Sequence, residues 1–266
     1  MYRRRVNAPL LGSPDIPEDG GHGMNPVARA QNASNRARSA TVASVAALAF
    51  ALVSVPAALA ESLHCAGTNV TVYGTARAEV QDACAGVLDA VRFLASLGLD
   101  TSEAAELRVV EALPAVQGGA AAYGCKVKSE NRIYVLNLAE CGKLPLAPGL
   151  LVDAATHRGL VAHEVAHHIA AANFRAPRPT VIAHEYIAYV TMLATMDKQA
   201  RERILRQFPG DGFGSVREIG LTLYLMNPTR FGVQAYRHFM RPGNGATFVE
   251  QVLSGRALST EDPPAN

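Results

Sequence analysis

No feature of the 266-residue chain constrains its fold more than the stretch from Leu160 to Phe174. It has neither proline nor glycine, and it carries His163-Glu164-Val165-Ala166-His167 between Leu160, Val161 and Ile169, Ala170. Such a stretch predicts an amphipathic helix. Two histidines at this spacing lie on one helix face about one turn apart, so both imidazoles reach a single tetrahedral ion without bending the backbone. Glu164, one residue round from the first ligand, then stands beside the open fourth position. There it can take a proton from a water whose pKa zinc lowers to about 7.

A third ligand is expected from the next helix. Past the turn with Pro177 and Pro179, the residues Ile182, Glu185, Tyr189, Met192 and Met196 recur at spacings of three and four and form a core-facing stripe. A carboxylate in that stripe is costly unless paired, and a cation held by two neutral imidazoles is the obvious partner. Glu185 is therefore the expected third ligand, with His184 as its competitor. His168 points about 100° away from His167 and reads as a surface or outer residue, and His157 as structural.

A helix bearing HEVAH followed by a second helix bearing Glu185 resembles the gluzincin branch of the HExxH zincin metallopeptidases, over Leu150 to Met196. The resemblance implies a zinc peptidase with His163, His167 and Glu185 as metal ligands and Glu164 as general base, acting on a peptide or protein. It also implies that the substrate lies along the edge of a small sheet, for which the hairpin strands Ala121 to Val127 and Arg132 to Leu138 are the candidates. Two departures stand out. Tyr189 occupies the place where many of these enzymes carry an acid that orients a zinc histidine. The residue that stabilises the oxyanion is not evident: Tyr236 and His238 are candidates, and since they project nearly opposite ways from one helix, at most one faces the metal.

The environment in which the chain folds is read from its first sixty residues. Arg29, Arg36 and Arg38 precede an apolar run from Ala40 that ends in Ala58-Leu59-Ala60. This is the pattern of a signal peptide, with cleavage expected after Ala60 and a true start at Met24. An uncleaved anchor is the alternative, since the run is long enough to span a bilayer. The product is expected to be exported, periplasmic or extracellular, and free of the membrane once cut. All four cysteines follow the leader, which predicts two disulfides, Cys65 with Cys84 and Cys125 with Cys141. The formal net charge is +2, and the leader's arginines account for much of it, so nothing suggests nucleic acid as a partner.

Along the mature chain the patterning predicts a strand over Thr68 to Tyr73, a helix over Ala76 to Leu97, a strand over Leu107 to Leu113, and the hairpin. Helices follow near Asp153 to Asn173, Thr180 to Phe208, Ser215 to Leu225, Thr229 to Met240 and Ala246 to Leu253. The expected fold is α+β and zincin-like, one domain over residues 61–258. A small N-terminal sheet and one helix pack on the active-site helix, a mainly helical half follows, and residues 259–266 form a disordered tail. Gly210 to Gly214 reads as a connector, and Tyr224 and Phe231 as core. Two other function classes stay open: a non-catalytic zinc-binding or interaction domain, and a helical protein that holds the motif without metal. Oligomeric state is open too.

Overall fold

A computed structural model describes residues 60–114, 123–127 and 131–259, all within the contact unit Val55–Asn266. The leader up to Leu59 and the tail from residue 260 lie outside them.

The N-terminal part is a five-stranded sheet. Its strands are β1 (Glu61–His64), β2 (Val70–Gly74), β3 (Ala105–Val110), β4 (Gly124–Val127) and β5 (Arg132–Leu136), in the spatial order β1-β2-β3-β5-β4. The β2, β3 and β5 strands are parallel neighbours, and β1 and β4 close the two edges in antiparallel fashion. Alternation decides which face is buried: Val70, Val72, Leu107, Val109, Ile133 and Val135 point inward. Helix α1 (Arg77–Ser96) connects β2 to β3 and covers that face, with Val80, Val87, Ala90 and Leu94 buried at helical spacing. The disulfide Cys65–Cys84 ties the turn after β1 to α1.

After β5 the chain makes a short helix α2 (Leu138–Cys141) and a two-stranded hairpin, β6 (Pro145–Ala147) with β7 (Leu150–Leu151), neither of which the sequence patterning signals. The rest is helical: α3 (Ala154–Asn173), α4 (Val181–Thr195), α5 (Lys198–Gln207), a 3-10 turn at Val216–Glu218, α6 (Leu221–Met226), α7 (Pro228–Phe239) and α8 (Gly245–Leu253). The α+β architecture, a small sheet followed by a mainly helical remainder, is as expected.

Four expectations are corrected. Strand β1 is not foreseen, because Glu61-Ser62-Leu63-His64 has no β-branched residue to signal it. The helix expected over Thr180 to Phe208 is two helices. Asp197 breaks it: its side chain accepts from the amide of Ala200 at 2.9 Å and caps α5. Helix α3 is not amphipathic. It is buried from Thr156 through Ala170 except at the half-buried Arg158 and His167, since α1, the β4–β5 strands and α4 all pack on it. Finally, the Cys125–Cys141 pair is not formed. The Cys141 thiol is fully buried and donates to the carbonyl of Leu136 at 3.4 Å, while Cys125 lies on the edge strand and lines a cavity.

Candidate metal centre

Helix α3 starts where Asp153 accepts from the amide of Thr156 at 2.9 Å, and α4 where Thr180 accepts from the amide of Ala183 at 3.1 Å. These caps fix both helices, and their packing brings three side chains together. The Nε2 atoms of His163 and His167 are 3.1 Å apart, and the Glu185 carboxylate lies 3.6 Å from the first and 3.5 Å from the second. Donor atoms bound at about 2.0–2.1 Å to a tetrahedral zinc are separated by roughly 3.3 Å, so the triangle fits that ion. His163, His167 and Glu185 are also the one group of three metal-capable side chains found among the described residues.

The electrostatics agree with the geometry. Burial holds the His163 imidazole down to about 3, so it is neutral, the form that donates a lone pair to a metal. Burial pushes the Glu164 carboxyl up to about 8, and the charge of Glu185 adds to the shift. It also pushes Glu185 up to about 7, against a hydrogen bond from Tyr224 that lowers it. Two carboxyls are thus held together out of water, and a dication is the species that relieves both.

Edge strand β4 passes directly beside Glu164. A Cβ at Gly124 would lie 2.5 Å from Glu164 Cγ, 2.6 Å from its Cδ and 2.7 Å from the carbonyl oxygen of Tyr134. Only glycine permits this approach, and it presses Glu164 into a cavity of 780 Å³ that the two histidines, Glu185, Tyr189 and Tyr224 also line.

Tyr189 fills the place of the absent acid with packing. Its ring meets His163 edge-on with centroids 4.6 Å apart, and Gly232 on α7 leaves it room, since a Cβ there would meet the ring at 2.2 Å. The Nδ1 of His163 is buried with no hydrogen-bond partner among the described residues. The imidazole is therefore oriented by ring contact.

Residues 70–262 match DUF6639, described as a family of unknown function. The chain belongs to this family. No curated protein matches the DUF6639 chain.

The remaining sequence-based candidates of this DUF6639 protein sit elsewhere. His238 accepts or donates at Nδ1 to the Tyr186 hydroxyl, 2.8 Å away, and packs on Phe248. Tyr236 is buried among Met192, Leu193 and Val233, with Arg201 over its ring. Neither lines the cavity, because α7 turns its buried face to the core. His184 packs on Phe174 and is not among the three converging groups. His168 is fully buried, not a surface residue, with its Nε2 4.0 Å from a Glu103 carboxylate oxygen, because α3 has no solvent face there. His157 is structural: its Nε2 is 2.8 Å from the Leu136 carbonyl oxygen.

Tyr224, read as core, packs on the core against Phe231 and also borders the site. It is half-buried on the six-residue helix α6, and hydrogen bonding from its hydroxyl lowers the Glu185 carboxyl against burial. No local pattern marks it, since a tyrosine on a short apolar run reads the same whether it packs in the core or borders a cavity. Tyr123, just before β4, also lines the wall and donates to the carbonyl of Pro145 at 3.0 Å.

Proposed function

We propose that this DUF6639 chain is an exported zinc metallopeptidase of the gluzincin type, hydrolysing peptide bonds with Glu164 as general base. The observation that carries the reading is the His163–His167–Glu185 triangle, with Glu164 beside it in a cavity lined in part by β4, the edge strand among the described residues.

A zinc ion held by these three residues supplies a water of lowered pKa and a Lewis acid for the scissile carbonyl. Glu164 accepts the proton of the attacking water and returns it to the leaving amine nitrogen. Strand β4, at the sheet edge among the described residues, is where an extended substrate would add. Of the three tyrosines on the wall, Tyr123 and Tyr224 have their hydroxyls committed to protein acceptors. The Tyr189 hydroxyl has none among the described residues. Burial keeps it protonated, so it is the available donor to a developing oxyanion. The disulfide Cys65–Cys84 supports an oxidising compartment, in keeping with export.

The unsupported Nδ1 of His163 favours a second reading, a zinc-binding domain without turnover. The deciding experiment measures zinc content and peptide-library cleavage for the wild type, Glu185→Ala and Glu164→Gln. The peptidase reading expects zinc lost in the first variant, and zinc kept with cleavage lost in the second. Zinc without cleavage in the wild type would support the second reading. Absence of zinc after reconstitution would remove both.

A further inference from the structure

The cavity is bounded by two apolar walls. Hairpin β6–β7 contributes Pro145, Leu146 and Pro148, and α6 with the start of α7 contributes Leu225, Met226 and Pro228, the two joined where the Thr229 hydroxyl donates to the Leu146 carbonyl. Among the described lining residues there is no Lys, Arg or Asp, and the only carboxylates are Glu164 and Glu185 at the metal centre. The formal charges of a bound dication and those two carboxylates cancel. A charged side chain entering the cavity would lose its hydration and meet no opposite charge.

Leu225 and Met226 add a second observation. They are 68% and 79% exposed, on a helix whose Leu221, Leu223 and Tyr224 pack on the core, and they border the cavity. Two large exposed apolar side chains side by side at a cavity are suited to cover an apolar group from a ligand. The cavity's 780 Å³ is the size that encloses a few residues of extended chain, not a folded domain.

We infer that the site selects peptide segments bearing a large uncharged aliphatic or aromatic side chain next to the scissile bond, covered by Pro145, Pro148 and the Leu225–Met226 pair. This rests on the peptidase reading above. It is tested on the zinc-loaded Glu164→Gln protein, so that binding is read without turnover. The probes are capped pentapeptides, four alanines around a central Leu, Phe, Lys or Glu, titrated by calorimetry. The Leu and Phe peptides are expected to bind at least about tenfold more tightly than the Lys and Glu peptides. Adding Leu225→Ala and Met226→Ala is expected to remove about tenfold from Leu and Phe binding, with zinc affinity unchanged. Equal binding of the charged peptides, or discrimination that survives the double change, would overturn the selectivity. Peptide binding with this preference, alongside a wild type that cleaves nothing, would refute the peptidase reading and leave the apolar subsite standing.

Discussion

Tyr224 stands beside Glu185 on the cavity wall, where hydrogen bonding from its hydroxyl opposes the rise that burial gives the carboxyl. Ligating carboxylates are commonly held by such outer hydrogen bonds, and their loss weakens metal binding about tenfold or more. Tyr224→Phe removes the donor and keeps the ring contact with Phe231. It is expected to retain the fold and to lose about tenfold in zinc affinity, measured by competition with a chelator. Unchanged affinity would mean that Tyr224 does not orient Glu185.

Tyr189 joins two roles that one substitution separates. Tyr189→Phe leaves a ring to pack on His163 but deletes the hydroxyl. The expected result is zinc affinity close to wild type, with kcat lowered by about a hundredfold. If zinc affinity falls and kcat does not, the residue is only a support for the histidine.

Gly124 is the contact between the sheet edge and the general base. In Gly124→Ala the new methyl meets the Tyr134 carbonyl oxygen, which is backbone, as well as Glu164, so β4 or Glu164 must shift. Displacement of a reacting group by an ångström costs on the order of a hundredfold in rate, and the overpacking costs about 1–3 kcal/mol of stability. Steady-state kinetics and denaturant unfolding of this variant check both numbers.

The start of α3 depends on Asp153. Burial raises its carboxyl somewhat, but the hydrogen bonds from Thr156 and the charge of Arg203 prevail, and its pKa is lowered. A carboxylate whose folded pKa is depressed contributes stability that is present above its unfolded value and lost as pH falls through the folded one. Asp153→Ala is expected to cost about 1 kcal/mol at pH 7 and progressively less below pH of about 4, by denaturant unfolding across pH.

Two of the four cysteines are thiols. Burial pushes Cys141 up to about 12, with Glu164 adding to it, so at pH 8 it is neutral and shielded. Thiol titration without reductant is expected to find two groups in guanidinium, with Cys141 unreactive in the native protein. Mass spectrometry of alkylated peptides locates them, and a finding of none in guanidinium would restore the second disulfide.

Local signals carried most of the fold. The helices α1 and α4 follow from the spacing of their apolar residues and α3 from a run free of proline and glycine, with Asp153 and Thr180 capping α3 and α4 in the structure, and the hairpin of β4 and β5 follows from two β-rich runs with a polar link. Asp197 shows that one more cap was readable and was hidden by the continuous apolar stripe around it.

The division between sequence and structure follows the range of the interactions. His163, Glu164 and His167 share one helix, and Glu185 lies one short connection away. Helical pitch therefore brings the triangle within reach of the sequence by itself. Tyr224 and Gly124 reach the site from α6 and β4, and Tyr236 and His238 miss it on α7. Cys125 and Cys141 stay apart although their spacing suits a bridge. Those outcomes depend on how elements distant in the chain pack and rotate against α3. Only tertiary structure decides them, because contacts over such separations are set by the whole core and leave no periodic trace in the local sequence.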